Sequence, residues 1–187
     1  MFSASITQAQ MKYWTTPSLK FNISTSIPSS TALPGPGGAY SVANGVYDDN
    51  GNILFYVRDY NIYGPTGQSI GILPGYNMSV CNEAYTILNS EINIVPIPGT
   101  CRQFYVIYSM DNPIGYSPVL YVKVNCSGTT PVVTYDGWVY ASCPYYSGLF
   151  PIPYLVSNHG GWDNTGMAVS KVITGSGSTE KRFLISR

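Results

Sequence analysis

Few residues in this chain have the types and spacing that chemistry requires. Asp48-Asp49-Asn50-Gly51-Asn52 gathers side-chain oxygens that could ligate calcium. An EF-hand loop, however, wants D-x-[DN]-x-[DN]-G and a Glu at its last position. Here Gly51 falls too early, before Asn52 instead of after it, and no such Glu follows. A hairpin turn accounts for the same residues, because Asn-Gly accepts φ > 0. The one histidine, His159, stands in SNHGGWDN with Asp163 after it and Ser147 and Ser157 before it. A Ser-His-Asp triad needs a positioned nucleophile, and the chain has no G-x-S-x-G elbow, so His159 reads as a loop residue. Glu83, Glu91 and Asp111 are the mid-chain acids from which a glycosidase pair would have to come. Such a pair must lie about 5–10 Å apart in one cleft, and nothing in the spacing brings two together. The cysteines Cys81, Cys101, Cys126 and Cys143 contain no C-x-x-C pair, and His159 is remote from them in sequence, so no zinc site is indicated. The chain therefore reads as non-enzymatic, with no catalytic residue, metal or cofactor assigned.

Binding chemistry has better candidates. Trp162 lies among Gly160, Gly161 and Asp163, and an exposed indole with polar neighbours can stack on a sugar ring. Tyr145, Tyr146 and Tyr154, with Phe150, form an aromatic, Pro-rich loop that suits a polysaccharide or a cell-surface protein. The same four aromatics, and Trp162, also suit the plain role of pinning loops to a core. Asn22, Asn77 and Asn125 each head an N-x-[ST] sequon, which matters only in a glycosylating secretory system.

The elements that would carry these residues are strands. With 187 residues, the chain is long enough for one substantial core. Charged residues are only 10%, while there are 17 Tyr, 19 Gly and 14 Pro. Aromatic and β-branched residues suit a pleated surface, and Gly and Pro supply turn dihedrals. The residues of long amphipathic helices are scarce, so the fold class is all-β. Nine basic and nine acidic residues cancel without clustering, which excludes the basic footprint of nucleic-acid binding. No apolar run approaches the roughly 20 residues of a membrane helix. An uncharged surface rich in Tyr, Ser, Thr and Asn points outside the cell. Thr7 and Ala9 resemble the end of a cleavage site, so residues 1–10 are read as a signal-peptide remnant. In that compartment the cysteines default to disulfides. Pairing Ile107 with Leu120 and Tyr105 with Val122 sets Cys101 opposite Cys126, leaving Cys81 with Cys143.

Residues 11–39, crowded with Pro, Ser and Thr, read as an extended segment with an edge strand near Leu19 to Ile23. From Tyr40 the pattern changes. AYSVANGVYDD and ILFYVRD flank the Asn-Gly turn as a hairpin, and NIYGPTGQSIGI adds one or two strands. Residues 74–90 are loop-like. EINIVPIP then opens a second unit, as an edge strand because Pro96 and Pro98 lack an N–H, and CRQFYVIYSM, SPVLYVKVNC and Val132 to Tyr135 continue it. Met167 to Ile173 and Phe183-Leu184-Ile185 begin a third. Phe55-Tyr56-Val57 returns as Phe104-Tyr105-Val106, 49 residues on. Periods of about 40–50 residues with four strands each mark propeller blades. The expected architecture is antiparallel four-stranded blade units, a partial β-propeller, with a β-sandwich as the alternative.

DDNGNILFY (48–56), INIVPIPGT (92–100) and QFYVIYS (103–109) resemble stretches of large gliding-motility-associated and type IX-secreted proteins of Bacteroidetes-type bacteria. The N-terminal regions of that family look like β-propellers. The likeness runs from about Val42 to Val124, and AVSKVI with KRFLISR (168–187) is similar to the opening of a third blade. It implies a secreted, extracellular or cell-surface role in adhesion or surface assembly, and it transfers no catalytic residue. The chain departs from the family in stopping at Arg187, mid-blade, without a sorting domain. On this likeness residues 40–187 are about two and a half blades of an incomplete propeller. The alternatives are a carbohydrate-binding β-sandwich and a propeller-type glycoside hydrolase with its carboxylates outside this piece.

Overall fold

The computed structural model describes residues 12–36, 43–73, 79–80, 83–84, 92–109, 116–135, 139–142, 149–152, 155–160, 167–169 and 184–186. Among them every regular element is a strand, so no helix there could cross a membrane.

The Pro-rich start is not a single extended segment. β1 (Tyr13–Thr15), β2 (Leu19–Asn22) and β3 (Ser29–Ala32) form an antiparallel sheet in chain order. The strand read at its edge, β2, is its centre. Pro17 sits inside the β1–β2 turn, where the Thr16 N–H donates to the Leu19 carbonyl at 2.8 Å. Proline suits such a corner because its φ is already set.

The second sheet is the four-stranded meander β4 (Ala43–Tyr47), β5 (Ile53–Arg58), β6 (Asn61–Tyr63) and β7 (Ser69–Ile72). Its first turn is the Asp48–Asn52 stretch. Asp48 Oδ1 accepts from the N–H groups of Asn50 and Asn52, and Asp48 Oδ2 accepts from Asn52 Nδ2. Gly51 takes φ +82°, the left-handed region that glycine adopts without strain. The Asp48 carboxylate is thus spent on holding the turn.

The third sheet repeats the meander with β10 (Ile92–Pro96), β11 (Gln103–Ser109), β12 (Tyr116–Asn125) and β13 (Val132–Thr134). Pro96 lies on the edge strand, as its missing N–H demands. β12 is long enough to pair along its first half with β16 (Leu155–Gly160), which places His159 in a strand opposite Ser117. Short pairs complete the strands: β8 (Ser79–Val80) with β9 (Glu83–Ala84), β14 (Val139–Ser142) with β15 (Leu149–Ile152), and β17 (Met167–Val169) with β18 (Leu184–Ser186).

The main core lies between the second and third sheets. Phe55, Val57 and Ile62 meet Phe104, Val106, Tyr108, Leu120, Val122 and Val124 there, all buried. The Phe55 and Phe104 rings pack at 5.6 Å between centroids. Fully burying an aromatic or branched side chain contributes about 1.5–3 kcal/mol, so this interface dominates the fold. The opposite face of β5 is buried too, where Tyr56 packs with Tyr63 and Leu33 beneath the end of the first sheet. That is why ILFYVR reads as a continuous apolar run instead of an alternation.

The sheets stack with matching edges. β1 lies beside β4, β4 beside β10, β10 beside β17, and β7 beside β13. Asn44, at the start of β4, donates from Nδ2 to the carbonyl of Ile92, at the start of β10 (2.8 Å). Beyond the end of β13, the Tyr135 hydroxyl donates to the Ile72 carbonyl (2.9 Å) and accepts from the Ile72 N–H (3.1 Å). Second and third sheets therefore run in the same direction, start over start and end over end.

The expected Cys101–Cys126 disulfide is overturned by one residue of register. β11 and β12 do form the hairpin, but Tyr108 pairs with Leu120 and Gln103 with Asn125. A slip of one residue exchanges the faces. Cys126 follows Val124 into the core, Cys101 follows Gln103 to the exposed side, and both are free thiols. Cys81 and Cys143 lie outside the described residues.

Candidate binding surface

The aromatic residues proposed from sequence as ligand contacts, Trp162, Tyr145, Tyr146 and Tyr154, all lie outside the described residues. The described residues offer a different aromatic surface, on the first sheet. Cross-strand pairing places Trp14, Phe21 and Ser30 in one row across β1, β2 and β3. Thr15, the neighbour of Trp14, is buried and hydrogen-bonded to the Tyr47 hydroxyl on β4. Successive side chains of a strand point to opposite faces, so the Trp14 row faces away from the stack. Trp14 is 62% exposed and its ring lies 6.2 Å from that of Phe21, tilted by 41°. Ile23, 46% exposed, stands next to the row on the same face, opposite Lys12.

The platform is held from behind. The Lys20 ammonium lies over the rings of Tyr13 (4.5 Å) and Tyr47 (5.0 Å) and donates to the Gly51 carbonyl. A cation on two aromatic faces is worth about 0.5–2 kcal/mol, depending on how dry it is. Burial pushes the Tyr47 phenol above its ordinary pKa, with the Thr15 bond opposing, so Tyr47 stays a neutral partner for both. The Asn52 amide, bonded to Asp48, is the first cause holding that carboxyl below its usual range. At the other end of the sheet, the Tyr56 hydroxyl donates to the Pro34 carbonyl and Arg58 Nη1 to that of Pro36. Gly35 and Gly67, both at positive φ, let the two chains pass close enough that a Cβ on Gly35 would meet the Gly67 carbonyl at 2.7 Å.

Arg58 and Asp59 are the buried charged residues of the described chain. The Arg58 guanidinium sits over the stacked rings of Tyr56 (5.4 Å) and Tyr63 (5.7 Å). Its Nε is buried without a hydrogen-bond partner. Asp59 takes φ +52° in the tight turn from β5 to β6. Arg58 ties the 34–36 strap to the end of the second sheet through the Pro36 carbonyl. No group of His, Cys, Asp and Glu suited to a metal occurs among the described residues.

The sequence placed Phe21 in an edge strand, Leu19 to Ile23, but gave Trp14 no strand and neither ring a ligand role. The usable signal was YWT and LKFN flanking Thr-Pro-Ser, two short alternating runs around a proline turn. No protein-family model, curated protein or solved structure matches this chain.

Proposed function

We propose that this chain is a non-enzymatic binding module, built from propeller-type blades and acting in adhesion or surface assembly outside the cell. The observation that carries it is the open Trp14–Phe21–Ser30 row, braced by a stack of sheets and left uncovered among the described residues. Exposed apolar surface rimmed by polar groups marks interaction sites. The stacking supports the blade reading. Two sheets related by a two-fold across their interface, with edges kept in the same order, would set the start of β4 against the end of β10. Asn44 instead reaches Ile92, start to start. In a head-to-tail stack, equivalent residues face the same way. Phe55 and Phe104 face each other, so Phe55 corresponds to Tyr105 and the FYV echo is one residue out of phase. The uncharged, Tyr-rich composition and the family resemblance support the extracellular placement.

The test is retention of the purified protein on bacterial cell envelopes. Saturable retention, weakened in Trp14→Ala and without new reducing ends or released fragments, is the expected result. Absence of saturable retention overturns the binding reading. Turnover of an envelope polymer overturns the non-enzymatic one.

A further inference from the structure

We propose that the Trp14–Phe21–Ser30 row takes a neutral, linear polysaccharide. This rests on the binding-module reading above and names the ligand class of the same surface. The argument begins with charge. Residues 12–36 contain no Asp or Glu, and their cations are Lys12 and Lys20. Lys20 is turned to the rear, occupied by Tyr13, Tyr47 and the Gly51 carbonyl. The open face thus presents one ammonium, at its margin beside Ile23. An anionic polymer would want several cations in a row, as phosphate backbones do, and a cationic ligand would want carboxylates. An uncharged ligand matches an uncharged face.

Shape and chemistry narrow the class further. A pyranose offers an apolar C–H face and a rim of hydroxyls. An aromatic π-surface, negative on its face, receives such C–H groups, and Trp offers the largest one. Trp14 and Phe21 are separated by 6.2 Å, comparable to the spacing of neighbouring pyranose units along a linear chain. Ser30 continues the row from Phe21 with an exposed hydroxyl. One stack, a second stack and the Ser30 hydroxyl beside them form the minimal equipment for gripping two sugar units.

The experiment is affinity gel electrophoresis and calorimetry of the whole chain with defined probes: a β-glucan, a xylan and a galactomannan, against polygalacturonate as the anionic control. At least one neutral polymer is expected to retain the protein and polygalacturonate is not. Trp14→Ala should weaken retention roughly tenfold, the size of a truncated interface anchor. Trp14→Tyr, which keeps a ring, should stay within a few-fold, and Phe21→Ala should fall between them. Far-UV circular dichroism shows that each variant is folded. Equal retention of Trp14→Ala and the parent, or retention by polygalacturonate alone, overturns the inference. Failure of every polysaccharide, with envelope binding that persists, depends on Trp14 and is lost when the envelopes are proteolysed, overturns the ligand class and leaves the binding module standing. Failure of both assays removes both.

Discussion

Alkylation of the two described cysteines would test the register of the third sheet, and with it the core. In the structure Cys126 is 2% exposed at the end of the inward row Leu120, Val122, Val124, and burial pushes its thiol up to about 11. The thiolate is the reactive form. At pH 8 a group of pKa near 11 is ionised in roughly one molecule in a thousand, against about one in four for a free cysteine of pKa 8.5. Ionisation alone should slow Cys126 about two-hundredfold relative to a free cysteine, and steric protection adds to this. Cys101 is exposed and should be modified early. The assay is timed alkylation with iodoacetamide at pH 8 and no reductant, then peptide mass mapping, which reads each cysteine separately. Denaturant should bring Cys126 to the rate of a free cysteine. A Cys101–Cys126 crosslinked peptide, or equal rates at the two sites in the folded protein, would refute the observed register. The slipped register, with Ile107 opposite Leu120, would then have to be restored and every inward residue of β11 exchanged.

Two further perturbations probe the other layers. Gly51→Ala forces a Cβ onto the Tyr13 ring at a φ of +82°, so it should cost about 1–3 kcal/mol in denaturant unfolding and raise proteolysis within residues 12–36. Unchanged stability would mean that the first sheet does not rest on the β4–β5 turn. Stability should also fall on the alkaline side. Burial raises the Tyr108 phenol well above its ordinary value, with Tyr135 adding to the shift, and raises Cys126. Below about pH 7.5 both folded and unfolded chains keep these protons and the groups leave stability level. Above it the unfolded chain releases them first, so stability declines as pH rises through 11. Urea midpoints at pH 8, 9.5 and 10.5 should fall in that order, and Tyr108→Phe should flatten the step above pH 10.

Much of the fold was legible because strand chemistry is local. The Asn-Gly turn, the apolar run of β5, the edge proline of β10 and the positions of β7, β13 and β18 all follow from turn dihedrals, side-chain alternation and a missing N–H. Of the three strands of residues 13–32, β2 was legible as the strand at Leu19 to Ile23, whereas β1 and β3 were lost in a Pro-, Ser- and Thr-rich stretch read as extended, where Pro17 turns a corner between strands. β16 was hidden in Gly- and Asn-containing sequence, and pairs because β12 runs long enough to receive it. The candidate surface was harder. Tyr145, Tyr146, Tyr154 and Trp162 were chosen for composition, whereas exposure depends on which strand face has a neighbour. Trp14 and Trp162 are indistinguishable on that point until a sheet is seen to cover one side of β1.

By itself, then, the sequence determined an all-β chain of repeated antiparallel meanders, with low charge and turns of known type. Tertiary structure decided the phase and the pairing. Whether Phe55 matches Phe104 or Tyr105, and whether Cys101 meets Cys126, turns on a shift of one residue. Such a shift leaves local propensities almost unchanged and reverses every side chain between core and solvent. Only the packing of Phe55 on Phe104, and of Thr15 against Tyr47, selects among these registers, because burial energy is a property of the faces that meet.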